Sequence, residues 1–444
     1  MGQGVLLGQS CGGAGSVLQA GHRGGEWAAM RIVLAHKYFF RGGGTATYLF
    51  GLREQLHRMG HETIPFTVDF ERTAVDEYSE FYVSPPDSSA NDHLKDMTMT
   101  PWLALKLLAR STWSVEAYYK ARALVEATRP DIAYVHNLYT YMSPSPIKAF
   151  KDAGVPVVMR VSDYNMLCPG LKLLRDGRPC YDCLGGNPAS ALAHRCHKDS
   201  LPATAGRVLT NLVQSAIDVY TGVDLFLTPS RFLAGLLAEA GYGADLIHHL
   251  PSFYEANGQV IEDDPSAPYI LYFGRIAPEK GLGDLIRAHS MLDSPPRLVI
   301  AGADTLDHAR QLKDLVLELD CERVEFVGFK EPDALSKLIA GSMFVVVPSV
   351  WPDNCPMSVL EAFAHGKPVI GSDIGGLPEQ ITADCGRLTR PGDPDELARQ
   401  MTELIDDAAL RRRLGANARE RVAQIYAPDA HCEELLQHFE RLIG

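Results

Sequence analysis

Residues 344–366 read FVVVPSVWPDNCPMSVLEAFAHG. The apolar run 343–347 predicts a buried strand. Pro348, Ser349 and Pro352 end it, and a helix is expected to restart near Pro356, since proline suits the first helical position. In a parallel sheet, a strand that leads into a helix N-terminus is where anionic ligands bind, because the first backbone N–H groups lack partners within the helix. Here those groups belong to Met357 and Ser358. Asp353 and Glu361 lie eight residues apart across the break. When ionised they can only accept hydrogen bonds, which suits the hydroxyls of a sugar or ribose. Glu361, two turns into the helix, is too far along to cap it.

Around this stretch the second half of the chain alternates strands and helices. Strands are expected at 269–273, 297–301, 323–327, 343–348 and 367–372, with helical patterns over 393–424. That is a doubly wound α/β domain. Its first strand runs into Gly274-Arg275-Ile276-Ala277-Pro278-Glu279-Lys280-Gly281. Two cations just past a strand end suit a diphosphate, the arginine as a forked donor and the lysine as a point charge. With the helix start at 356–358 they would stabilise charge building on a leaving group. Gly375-Gly376 falls at a further strand end.

The first half opens the same way. A strand over 32–36 meets Lys37-Tyr38-Phe39-Phe40-Arg41-Gly42-Gly43-Gly44, followed by a helix with Tyr48, Leu49, Leu52, Leu56 and Met59 on one face and Gly60 as its stop. A second strand spans 61–68. Three glycines let backbone approach a ligand, but the pattern is not G-x-G-x-x-G, and a tight turn explains it equally well. Further strands are expected at 131–136, 155–161 and 224–228. Helices are expected near 113–128, 203–220 and 230–240. His136 and Asp163 fall at strand ends; a lone histidine there is more often structural. The segment WLALKLLA (102–109) reads as a half-buried helix or a peripheral membrane contact.

Cys168, Cys180, Cys183 and Cys196 lie near one another in sequence, with His194 and His197 alongside. Four thiolates could hold a structural zinc; the alternative is a redox-silent loop with Cys168 in the core. Nine dispersed cysteines in an acidic chain read as cytoplasmic thiols.

With 444 residues, two domains of about 200 residues each are expected. The divisions are 1–29 (a disordered extension or misassigned start), 30–250, a polar linker 251–267, 268–426, and a C-terminal helix 427–444 that crosses back to the first domain. The net charge of −13 argues against a nucleic-acid binder. No stretch reaches the roughly 18 apolar residues of a membrane span, and the first 29 residues lack the pattern of a signal peptide.

The chain resembles the retaining glycosyltransferases of family 4, which have the GT-B fold of two facing Rossmann-like domains. The resemblance rests on Phe273-Gly274-Arg275-x4-Lys280-Gly281, on Asp353-x7-Glu361 within NCPMSVLEAFAHGKPVIGSDIGGLPE, and on KYFFRGGGTATYLF, HNLYTYMSPS and SDYNMLCPG in the first half. It implies a UDP- or GDP-sugar donor, with Arg275 and Lys280 on its diphosphate and Glu361 on its ribose. Asp353 and Asn354, Cys355, Pro356, Met357 and Ser358 would meet the donor sugar and phosphate. Gly42, Gly43 and Gly44 would close over the diphosphate, and Gly274 and Asp163 would also border the donor. Transfer would retain anomeric configuration without a catalytic metal. The acceptor would be a glycan or lipid-linked glycan of the cell surface, met in the cytoplasm or at the inner membrane face. Two residues depart from the family pattern: Asp353 stands where glutamate is usual, and Ser162 precedes Asp163 where histidine is usual. Other GT-B enzymes of the synthase or epimerase type, and a catalytically silent sugar-nucleotide binder, stay open.

Overall fold

The computed structural model describes residues 28–40, 44–86, 100–256, 267–304 and 307–444. Most of the expected N-terminal extension, the loop glycines Gly42 and Gly43, and most of the linker lie outside the described residues.

The first sheet contains β1 (Arg31–Ala35), β2 (Glu62–Phe66), β3 (Ile132–His136) and β4 (Val157–Arg160). A two-stranded hairpin follows, β5 (Leu174–Arg175) and β6 (Arg178–Pro179). β7 (Leu225–Thr228) and β8 (Ile247–His249) then complete the first sheet. Its order is β2-β1-β3-β4-β7-β8, parallel throughout. The second sheet uses β9 (Tyr269–Phe273), β10 (Arg297–Ala301), β11 (Val324–Gly328), β12 (Val345–Val347), β13 (Val369–Ser372) and β14 (Gly386–Thr389). Its order is β11-β10-β9-β12-β13-β14, again all parallel. Helices cover both faces of each sheet, so the inner strands are apolar along their length.

In the second sheet the direction of winding reverses between β9 and β12, which pair at Leu271 and Val345. The chain leaves β9 and β12 side by side, so the two loops that follow are neighbours. Such a reversal is the ligand-binding crevice of an open α/β sheet.

Several local expectations needed adjustment. The helical stretch 393–424 is two helices, Pro394–Asp406 and Ala408–Ile425. Asp407 ends the first and caps the second by accepting from the Leu410 N–H at 2.8 Å. Pro356 is the residue before the helix Met357–Ala364, in extended conformation, not its first turn. WLALKLLA, by contrast, lies as expected in a half-buried helix, Pro101–Thr112, which buries Leu103 and Leu107 and leaves Trp102 and Leu105 exposed. The edge strands β8 and β14 are short, carry His248, His249 and Arg387, and escape a hydrophobic pattern.

The final helix, Pro428–Ile443, packs Cys432, Leu435, Leu436 and Phe439 into the first domain's core beside Ile32, Leu34 and Tyr134. Its His431 Nε2 lies 2.8 Å from the Tyr48 hydroxyl.

Candidate active site

The loop after β9 turns through Pro278–Lys280 and ends at Gly281, whose φ is +67°. A Cβ at Gly281 would stand 1.9 Å from the Pro348 carbonyl oxygen. Glycine therefore lets this loop press against the one after β12. Lys280 donates to Asp353 in an ion pair that is almost fully buried, and the Ser349 hydroxyl donates to the same carboxylate at 3.0 Å. The loop of Asp353 is braced from behind: a Cβ on Gly376 would meet the Asn354 carbonyl oxygen at 1.7 Å.

Arg275 is half exposed and pairs with Glu279 at 3.3 Å. Glu279 is buried, and its other oxygen accepts from Lys172 of the first domain at 3.0 Å. Burial pushes the Glu279 carboxyl up, but hydrogen bonding, Lys172 and Arg275 outweigh it and hold the group below its ordinary range. Glu279 sits inside the loop that sequence reading singled out, yet as one acid among polar residues it gave no signal.

Glu361 projects from the second turn of the helix Met357–Ala364. Burial lifts its carboxyl to about 7. Its backbone carbonyl accepts from the His365 N–H at 3.3 Å and lies 2.8 Å from His365 Nδ1. Gly274 closes β9, its N–H donating to Ala301 at 3.0 Å. The Asn354 side-chain oxygen accepts from Ser230 of the first domain, and its amide nitrogen is buried with no partner. Burial raises the Cys355 thiol. Gly44 opens its helix directly over Met357: a Cβ there would touch the methionine Cγ at 3.2 Å. The start of the helix Met357–Ala364 thus lies against the first domain.

That domain presents a matching surface at its own strand ends. Both nitrogens of His136, Asn137 Oδ1, Ser162 Oγ and Asn165 Oδ1 are buried without hydrogen-bond partners. Asp163 accepts from the Asn165 N–H at 3.0 Å, and burial raises its carboxyl. Tyr164 crosses to the second domain, packing edge-on against Trp351 at 5.9 Å and donating to the Pro352 carbonyl. Glu379 crosses the other way, accepting from the N–H groups of Arg231 and Phe232 at 2.8 Å each. Sequence reading missed Tyr164, Ser230 and Glu379, since cross-domain partners leave no local pattern.

Two facing parallel-sheet α/β domains, the second with a switch point between β9 and β12, have the GT-B arrangement. Residues 43–252 match the glycosyl transferase 4-like domain, and residues 255–421 match glycosyl transferases group 1. Consecutive matches on the two halves leave one reading: the chain belongs to the GT-B glycosyltransferases of this group. An uncharacterized glycosyltransferase of Methanocaldococcus jannaschii is 33% identical over 184 residues, 40% of this chain and 46% of that protein. The MMP alpha-(1->4)-mannosyltransferase of Mycolicibacterium hassiacum is 27% identical over 170 residues, 38% of this chain and 41% of that protein. The chain thus spans less than half the length of these curated relatives. Among solved structures, sucrose-phosphate synthase from Thermosynechococcus elongatus superposes with a TM-score of 0.67 at 20% identity, over 93% of this chain and 99% of that one. Anabaena HepE in complex with UDP-glucose superposes with a TM-score of 0.64 at 18% identity, over 93% of this chain and 100% of that one.

Proposed function

We propose that the chain is a retaining glycosyltransferase that moves a sugar from a nucleotide-sugar donor to a glycan or lipid-linked acceptor. The observation that carries this reading is the Lys280–Asp353 pair, which joins the Arg275 loop after β9 to the loop after β12 that leads into the helix carrying Glu361. The two cations and the helix start supply positive charge where a departing nucleoside diphosphate gains negative charge. In this reading they do the work of a catalytic metal, and transfer persists in chelator. Glu361 accepts from the ribose hydroxyls, and Asp353 and Asn354 meet the donor sugar. A Lys280–Asp353 pair has to adjust as the donor enters, freeing the ammonium for phosphate.

The donor is a UDP- or GDP-sugar; the UDP-glucose complex of HepE supports the first. The unsatisfied groups around His136, Asn137, Ser162 and Asn165 suit a hydroxyl-rich acceptor. A role in cell-surface polysaccharide synthesis at the cytoplasmic membrane face accords with the exposed Trp102 and Leu105 beside Lys106. Among the described residues no helix is long and apolar enough to cross a membrane.

The test is release of UDP or GDP from a panel of nucleotide sugars, with and without oligosaccharide and lipid-linked acceptors, with and without chelator. Product anomeric configuration is read by NMR. Acceptor-dependent release with retention supports the proposal; inversion or a strict metal requirement overturns those parts of it. The Ser162 hydroxyl favours a second reading, a silent sugar-nucleotide binder, which would bind donors in that panel and transfer to nothing.

A further inference from the structure

Between β4 and the helix Leu201–Ala216 the chain makes a lobe that belongs to neither sheet. Its hairpin turns at Asp176 and Gly177, both with positive φ, the geometry of a two-residue Asp-Gly turn. The hairpin delivers Cys180, and Cys183 follows one turn later. Cys168 enters from the strand-end side, and Cys196 follows the short helix Ala189–His194. All four cysteines are free and line one small cavity of about 10 Å³. That is room for a single water-sized atom. The rest of the lining includes Leu173 and Arg175. Backbone presses in as well: a Cβ on Gly170 would stand 3.2 Å from the Cys196 Cβ and 3.5 Å from the Cys168 sulfur. Four cysteines line one atom-sized space in a lobe with little regular structure, and Cys168 also packs against the first domain's core.

We infer that Cys168, Cys180, Cys183 and Cys196 form a structural zinc site whose lobe positions the Arg275 loop of the facing domain. As the side chains stand, no group of three or more His, Cys, Asp or Glu residues among the described residues is placed to hold a metal ion. The thiols surround the space, and side-chain rotation must bring the sulfurs to about 2.3 Å from the ion. Zinc binding displaces the four thiol protons to solvent, and the thiolates donate to the metal with no change of oxidation state.

The consequence outside the lobe runs through Lys172, four residues after Cys168. It reaches Glu279, and Glu279 holds Arg275. Lys172 is thus a positioning residue for the donor loop. This last step rests on the proposed donor site; the metal site does not.

Metal content is measured by mass spectrometry on the full chain, expressed with zinc and purified without chelator, and UDP and GDP affinities are measured on the same samples. We expect about one zinc per chain, falling below about 0.2 in Cys180→Ser and Cys183→Ser. Because those variants could unfold, the wild type is also stripped with a chelator and reloaded. Stripping should lower thermal stability and weaken nucleotide binding about tenfold, and zinc should restore both. Lys172→Ala should keep its zinc and show the weakened binding alone. A wild-type chain below about 0.2 zinc per chain, or a disulfide among the four cysteines, overturns the site. Full zinc with unchanged nucleotide affinity on stripping and in Lys172→Ala overturns the positioning role.

Discussion

The ammonium of Lys280 donates to the carboxylate of Asp353 across the β9–β12 junction, and neither side chain is more than 15% exposed. The pair joins two loops that are 73 residues apart in sequence. A nearly buried pair is strong only while both members are present, since removing one leaves a desolvated charge.

Lys280→Ala should therefore do two things: lower transfer by at least about 100-fold and lower the melting temperature, because Asp353 loses its partner. Arg275→Ala should lower transfer by a similar factor with little change in melting, since Arg275 is half exposed. Steady-state rates and thermal melts on the same preparations check both. Near-normal transfer in both variants would sink the diphosphate assignment.

The domains are also held closed by Glu379. Its carboxylate meets the first two N–H groups of the helix Arg231–Glu239, where Ser230 already accepts from the Leu233 N–H at 3.2 Å. An anion at a helix N-terminus is worth about 1–2 kcal/mol in a partly buried setting. Glu379→Ala should destabilise the closed form by that order. Small-angle scattering of the ligand-free variant should show a larger radius of gyration, and saturating nucleotide should shrink it again. An unchanged radius would mean that the apolar contacts around Trp351 and the last helix set closure alone.

These two cases show what a sequence can disclose. The strand–break–helix at 344–366 was legible because β12 is buried on both faces and so reads as an unbroken apolar run. Arg275, Lys280 and Asp353 stood out because charge just past a strand end is unusual, and Glu361 because it lies on the helix that follows the same break. The pairing of Lys280 with Asp353 was not, because it depends on which strands become neighbours, and no periodicity carries strand order. Glu279, Tyr164 and Glu379 act across the domain boundary, where the partner belongs to another part of the chain. The cysteines were legible as a group, whereas their link to Arg275 through Lys172 emerged only in three dimensions.

Gly281→Ala tests the contact between the two loops without touching a charge. The residue has a positive φ, and a methyl group would collide with the Pro348 carbonyl, so backbone must move. Strain of this kind costs about 1 kcal/mol or more. The larger expected effect is on binding, since the shift moves Lys280 away from the position proposed for the donor phosphate. A nucleotide at about 100 times its dissociation constant stabilises the wild type by about 2.7 kcal/mol. The variant should lose most of that stabilisation at equal ligand concentration, measured by thermal shift. Gly392→Ala serves as the control, since its φ is also positive but no atom lies within contact of an added Cβ.

Glu361 gives the chain a pH signature. Burial alone raises its carboxyl from the ordinary value of 4.5 to about 7. A group whose folded value lies above its unfolded value stabilises the fold fully at pH below the unfolded value. That contribution is lost as pH rises through the folded value. In the ligand-free chain the ionised carboxylate is thus a burden above pH 7, by at most about 3 kcal/mol. Glu361→Gln should melt at the wild-type temperature near pH 4.5, melt progressively higher than wild type from there to pH 7, and hold a constant advantage above it. Nucleotide binding should move the opposite way. If the ionised carboxylate accepts from the ribose, the wild type gains affinity as pH rises from 6 to 8, and the glutamine variant stays flat. Melting curves and calorimetric titrations of UDP and GDP at four pH values separate the two effects. A glutamine variant with wild-type affinity at pH 8 would remove Glu361 from the ribose, whatever its effect on stability.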